Sequence, residues 1–364
     1  MEKIIKSILH TIENEGYEAY IVGGFVRDKL LGRVSYDVDI CTNALPMEIQ
    51  KLFNINQSSN GYGGFNLKIK KYNIDITTYR KERDYDKRHP TRIEYVSSLF
   101  EDIKRRDFTV NSLCMDKNGN IIDLLNGIED LNNKKIKVIG NPTTKFIDDP
   151  LRMLRAIRFA TELDFNFENK TYNAIKECSE HCSKLSSQRI KDELSKILSS
   201  NNYQKGLDLL IKLDIAKYIG ISFKKVVYTT DILGMWAQIE TKKINFTKVE
   251  SDIIKKIKLI IYKGKINNFD LFNYGLYTCL VASDILGISR STINKQYHSL
   301  PIKSMKDINI CGQDIIDILN IEPCKKISEI INKIKIEILN NNLKNNKNAI
   351  KKYIVRMGNN EQRE

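Results

Sequence analysis

Residues 20–40, YIVGGFVRDKLLGRVSYDVDI, leave a chain few ways to fold. An apolar run ends at Gly23 and Gly24, the spacing changes to that of a short helix stopped by Gly32, and an alternating polar–apolar segment follows. The expected order is strand, glycine turn, helix, strand. On the second strand Asp37 and Asp39 are two residues apart, so both carboxylates stand on one face. Hard oxygen ligands at that spacing suit Mg2+, and two-metal phosphoryl transfer uses such a clamp. Glycine at the turn lets a phosphate come close to the backbone amides of Gly23 and Gly24. Arg27, one turn into the helix, is placed to pair with the same phosphate. A D-x-D pair alone is common on solvated strand faces, and a double glycine before a helix is usually a turn. In this order they point together to a triphosphate site.

Further along, FNLKIKKYNIDITTYR (residues 65–80) alternates like two more strands. Asp75 lies on the second of them. It either joins the metal cluster, or takes a proton from an attacking hydroxyl, or is a solvated acid at a strand end. RKERDYDKRHP (80–90) is charged throughout and lacks apolar periodicity, which predicts a loop. RIEYVSSL (92–99) predicts a strand, and RRDFTVNSLCM (105–115) a helix.

From about Pro150 the chain turns helical. In DDPLRMLRAIRF (148–159), Asp149 suits an N-cap and Pro150 the first helical turn. Arg152, Arg155 and Arg158 then recur every three residues between two apolar rows. Arginines framed this way either form a solvated face or, if buried, need partners for their charge. The phosphates and bases of a nucleotide would serve. KGLDLLIKLDIAKYIG, DIIKKIKLIIYKG and ISEIINKIKIEILNN continue the helical spacing, and residues 325–352 are dense in Lys and Asn.

The motifs GGFVRDKLLGR…DVD, RRDFTVNSL and DDPLRMLRAIRF, in this order, resemble the class II tRNA nucleotidyltransferase and bacterial poly(A) polymerase family over about residues 15–200. INICGQDIIDILNIEP, from Ile308, is similar to that family's tail. The resemblance implies an α+β fold: a nucleotidyltransferase (DNA polymerase beta-like) α/β head over 1–140, then an all-α neck that selects the base over 141–200, a helical body over 201–305 and a tRNA-binding tail over 306–364. It implies an enzyme that adds CMP, CMP and AMP from CTP and ATP to the 3′ end of tRNA without a template, gripping the acceptor arm. Mg2+ would be held by Asp37 and Asp39.

By the same resemblance Asp149 accepts from the exocyclic amine of C or A, and Arg152 donates to the adjacent ring nitrogen. G and U present a carbonyl there and would be rejected. Arg155 and Arg158 would complete the nucleotide site, Arg106 would meet the triphosphate and Asp107 the ribose hydroxyls. The segment Lys81–Pro90 resembles a flexible loop that helps the switch from C to A. Two positions depart from the family pattern: Asp148 stands where Glu is usual, which bears on how Arg152 is oriented, and Ser112 where Ala is usual. Poly(A) synthesis, CC-only or A-only addition, and a non-catalytic RNA-binding protein on the same fold are the alternatives.

Composition agrees without deciding. The 364 residues suggest two or three units. An excess of 59 Lys and Arg over 45 Asp and Glu, a formal charge of +14, favours a polyanionic partner. Seven scattered cysteines without a CxxC pair read as reduced thiols of a cytoplasmic protein. The N-terminal stretch carries acids among periodic apolar residues and is no signal peptide, and no apolar run is long enough to span a membrane.

Overall fold

A computed structural model describes residues 3–55, 63–86 and 89–361. The chain separates into two compact units: one comprises residues 1–222 and 241–245, the other residues 223–240 and 246–364.

The first unit holds a sheet and a helical region. Its strands include β1 (Ala19–Val22), β2 (Asp37–Thr42), β3 (Gly64–Ile69), β4 (Tyr72–Thr78), β5 (Arg80–Asp86), β6 (His89–Tyr95), β7 (Cys114–Met115) and β8 (Ile121–Ile122). Six of these form one sheet in the order β3-β4-β2-β1-β7-β8. In β2, Val38 and Ile40 are buried while Asp37 and Asp39 are exposed; in β4, Tyr72, Ile74 and Ile76 are buried while Asn73 and Asp75 are half-buried. The sheet thus has an apolar face and an acidic one. Each buried Val or Ile contributes about 1.5–3 kcal/mol. A slip of one residue would send the carboxylates into the core, so the register is firmly specified. The helix Lys3–Asn14 buries Ile5, Ile8, Leu9 and Ile12 along one stripe, as its spacing predicts.

Two segments differ from the sequence-based expectation. Residues 80–90 were expected as a loop, yet β5 and β6 form an antiparallel hairpin, with Arg80 opposite Tyr95 and Asp86 opposite His89. A two-stranded ribbon takes its order from ladder hydrogen bonds and can be wet on both sides, so it needs no apolar period. Residues 105–115 were expected as a helix. The helix is instead Leu99–Arg105, followed by a single 3-10 turn at Thr109–Asn111 and by β7. The apolar residues Phe108, Val110 and Leu113 are all buried, but in an irregular turn whose spacing imitates a helix.

After the sheet come Pro142–Asp148, Leu151–Glu162, Ser187–Leu198 and Tyr203–Lys212. Asn141 caps the first by accepting from Thr144 N at 3.0 Å. Ten of the 12 residues of Leu151–Glu162 are buried, Arg152 and Arg158 among them, so this helix is enclosed rather than half-wet. It packs on Ser187–Leu198 and Tyr203–Lys212. Gly206 makes the second contact possible: a Cβ there would lie 2.7 Å from Thr161 Oγ1 and would strike Ile197 Cγ2.

The second unit is built of helices, including Lys248–Lys263, Asn268–Leu286, Lys325–Leu339 and Lys347–Glu361. Thr247 and Glu250 form a reciprocal cap at the start of the first, and Gly264 at φ +68° ends it. Trp236 packs edge-on against Phe246 at 5.3 Å. Among the described residues no helix is long and apolar enough to cross a membrane.

Gly206→Ala should destabilise the first unit by about 1–3 kcal/mol, the usual cost of overpacking a helix contact. Urea unfolding followed by circular dichroism measures it, and an unchanged midpoint would show that the helices yield freely.

Candidate active site

β2 and β4 run parallel, with Asp37 beside Asn73 and Asp39 beside Asp75. Directly paired residues of neighbouring strands share a face, so Asp37, Asp39 and Asp75 all belong to the acidic side of the sheet. Solvent reaches Asp39, yet the protein around it is dense enough to push its pKa up. Burial is the leading cause. Arg106 opposes it, while Asp75 and then Asp37 add to it by like-charge repulsion. Among the described residues no ready-made cage of three or more His, Cys, Asp or Glu exists. The acidic face fits a divalent cation by its chemistry instead. It offers hard carboxylate oxygens, and a cation between them would relieve the like-charge repulsion that adds to the effect of burial on Asp39.

Gly23 joins the acids to the cations. It sits at φ +82°, ψ −137°, where side chains are strained. A Cβ there would lie 3.3 Å from Asp39 Oδ2 and 3.9 Å from Arg106 Nη1. The glycine turn therefore passes directly against both groups, and Gly24 begins the helix Gly24–Leu30.

Arg106 is held from behind. Its Nη2 donates to Asp102 Oδ2 at 3.2 Å, and its buried Nε has no partner among the described residues. Asp102 is fully buried; it also accepts from Arg105 Nε at 2.8 Å and Arg80 N at 3.2 Å. Burial works against the charge of both members, but each raises the other's preference for being ionised: the pKa of Asp102 is lowered and that of Arg106 raised.

A second chain of contacts runs from the glycine helix to the arginine helix. Arg27 Nη1 donates to Asn111 Oδ1, and Asn111 Nδ2 to Asp107 Oδ1 at 3.3 Å. Asp107 Oδ1 also accepts from Phe108 N at 2.8 Å, and Oδ2 accepts Arg155 Nε at 2.9 Å and Nη2 at 2.7 Å. Its roughly four acceptor positions are thus taken within the protein. Despite burial, Arg155 and these hydrogen bonds bring its pKa down to about 2. Asp107, expected from the sequence to meet ribose hydroxyls, holds Arg155 in the structure as well. Phe159 gathers the guanidinium groups, with Arg27, Arg155 and Arg158 at 5.1, 5.5 and 4.1 Å from its ring centre.

Asp149 ends the helix Pro142–Asp148, and its Oδ1 accepts from Leu151 N at 3.1 Å, as an N-cap would. Arg152 is buried and donates from Nη1 to the carbonyl of Lys145 at 3.3 Å. Lys145 in turn donates to the carbonyls of Lys104 and Arg105 at 3.0 and 3.1 Å, tying the segment before Asp149 to the stretch that carries Arg106. Burial, helped by Arg152, lowers its pKa to about 8. Arg158 turns elsewhere: its Nε donates to Glu193 at 2.6 Å and its Nη1 to Glu162 at 3.0 Å. It completes a buried ion pair between helices, and it shares the Phe159 ring with Arg27 and Arg155.

Sequence reasoning missed Asp102, Asn111, Lys145, Phe159 as a ring platform, and Glu193. Asp102 had a signal: an acid three residues before Arg105 on one helix and four before Arg106, just past its end.

Asp107→Asn should cost about 2 kcal/mol of folding stability at neutral pH. The folded pKa lies below the unfolded one, near 3.9. The wild-type advantage is therefore complete above about pH 4 and fades as pH falls towards about 2. Urea titrations of both proteins from pH 2 to 7 test this, and a pH-independent difference would contradict it.

Residues 19–137 match the poly A polymerase head domain, residues 164–221 the probable RNA and SrmB-binding site of polymerase A, and residues 238–354 a putative tRNA nucleotidyltransferase domain 2. The CCA-adding enzyme of Ligilactobacillus salivarius is 36% identical over 377 residues, covering 94% of this chain and 93% of that protein. That of Lactococcus lactis subsp. cremoris is 34% identical over 382 residues, covering 96% and 95%. The crystal structure of the Bacillus stearothermophilus CCA-adding enzyme in complex with CTP superimposes with a TM-score of 0.84 at 26% identity, covering 100% of both chains. Joined to an acidic sheet face beside anchored arginines, this similarity over nearly the whole length means that the chain belongs to the CCA-adding enzyme family of nucleotidyltransferases.

Proposed function

We propose that the protein adds CMP, CMP and AMP, from CTP and ATP, to the 3′ end of tRNA without a nucleic-acid template. The observation that carries this reading is the placement of Asp37, Asp39 and Asp75 on one sheet face, with the Gly23 turn and Arg106 against Asp39. Asp37 and Asp39 would hold Mg2+, which when bound would activate the attacking hydroxyl and neutralise the leaving pyrophosphate. Arg106, fixed by Asp102, faces the phosphates, and Gly23 and Gly24 let them approach. Arg27 and Arg155, held by Asn111 and Asp107, line the nucleotide side. The tRNA 3′-hydroxyl attacks the α-phosphate in line, with Asp75 close enough to Asp39 to assist as a further ligand or as the base.

Asp149 and Arg152 select the base through the amine and ring nitrogen shared by C and A. Both are anchored before any nucleotide arrives, Asp149 on Leu151 N and Arg152 on the Lys145 carbonyl, which favours selectivity by fixed partners. The regions are head 1–140, neck 141–200, body 201–305 and tail 306–364. The surplus of basic residues suits the acceptor arm, and the free cysteines suit the cytoplasm. Because the matching head domain is named for poly(A) polymerase, ATP-only elongation is the second reading.

The deciding assay uses tRNA ending before the first C, after it, and after the second, with each nucleotide alone and in pairs. CTP alone should add two residues, ATP should add one only after them, and GTP and UTP none. A long ladder with ATP alone would establish poly(A) synthesis instead. Asp37→Ala should lower incorporation by at least about 100-fold, the scale of losing one partner of transition-state charge.

Gly23→Ala should stay folded, lose about 1–2 kcal/mol to the positive φ, and lower kcat by about 10-fold or more through displacement of Asp39 and Arg106. Wild-type kcat in that variant would show that the turn is only a connection.

A further inference from the structure

β3 is the edge strand of the sheet and pairs antiparallel with β4, with Asn66 directly opposite Asp75. The Asn66 side chain spends its nitrogen twice. Nδ2 donates to Asp75 Oδ1 at 2.8 Å and to Asn73 Oδ1 at 3.0 Å. A carboxylate only accepts, so Asp75 itself dictates which end of the amide faces it. Among the described residues the Asp75 carboxylate has no other hydrogen-bond partner, which leaves Oδ2 uncommitted on the face it shares with Asp39.

We propose that Asn66 is a positioning residue for the transfer reaction: it fixes one oxygen of Asp75 so that the other is presented to the divalent cation held beside Asp39. This rests on the function proposed above. The choice of residue makes physical sense. A lysine or arginine opposite Asp75 would neutralise the carboxylate and repel the cation. An amide holds the carboxylate as firmly and leaves its charge intact. The cation on the same edge, Lys68, stands opposite Asn73, two residues away from Asp75. Asparagine is a poor strand former, and its place on a solvent-exposed edge brings no packing gain, so its contact with Asp75 is its evident contribution.

The test uses Asn66→Ala and Asn66→Val, the latter keeping a strand-compatible side chain without the donor, together with Asp75→Asn and the double variants. Both single Asn66 variants should melt within about 2 °C of wild type, as surface substitutions do. Their kcat should fall about 10–100-fold with KM for CTP within about twofold, and Mn2+ binding without nucleotide, read by electron paramagnetic resonance, should weaken. In the Asp75→Asn background the same substitutions should cost nothing more. The proposal is overturned by wild-type kcat and Mn2+ affinity in both Asn66 variants, by losses that multiply in the double variants, or by full activity of Asp75→Asn. If wild type transfers nucleotide and Asp37→Ala does not, such a result removes the role of Asn66 alone; if wild type transfers none, the proposed function falls and the role of Asn66 with it.

Discussion

Apolar burial on one side of the sheet decides where the carboxylates on the other side stand. Val38, Ile40, Ile74 and Ile76 are all within 1% of complete burial, and each alternates with an acidic or amide side chain. Because strand side chains alternate strictly, these four residues permit only registers that keep Asp37, Asp39 and Asp75 out of the core. The antiparallel partner adds the second constraint. Val22 lies opposite Asp39, so the chain reaches its Gly23 turn at that acid and nowhere else. The placement of the three carboxylates is thus held by ordinary core packing, and none of the charged groups has to supply the energy that holds it.

The charged groups are arranged by a different rule. Arg106 is backed by Asp102, Arg155 by Asp107, and Arg158 by Glu193 and Glu162. Buried ion pairs contribute little net stability, since desolvation consumes much of the attraction. Their effect is to fix each guanidinium in one place before a ligand arrives. Among the described residues the acids of β2 have no such ion pair; Asp39 feels Arg106 and, more weakly, Arg155 against the repulsion of Asp75 and Asp37. The site therefore has a region that wants a cation next to one whose cations are already oriented, which is the division a metal-bound triphosphate requires.

What the sequence disclosed and what it hid follow from the same physics. The glycine turn, the D-x-D face and the first helix were legible, because each is written in residues that are neighbours along the chain. The hairpin of β5 and β6 was not, because its order comes from backbone pairing between charged strands rather than from an apolar period. The supports of the site were hidden for another reason. Arg27 meets Asn111 across 84 residues, Arg155 meets Asp107 across 48, and Arg158 meets Glu193 across 35. Such pairs leave no periodic trace, and an arginine looks the same in sequence whether it awaits a phosphate or already has a carboxylate. The row Arg152, Arg155, Arg158 shows the consequence: equal spacing, but three different partners.

The short acid at position 148 can be weighed in these terms. A Glu there would reach farther than Asp, and the sequence alone made the orientation of Arg152 depend on that reach. In the structure Arg152 donates to the backbone carbonyl of Lys145, a group whose position is set by the helix Pro142–Asp148 and by no side-chain length. That helix is capped by Asn141 and fastened through Lys145 to the carbonyls of Lys104 and Arg105. Asp148 lies beside Lys145, Glu82 and Arg105 along a cleft of about 320 Å³, in a setting already rich in charge. The departure at 148 leaves this hold on Arg152 untouched, because the Lys145 carbonyl belongs to the backbone.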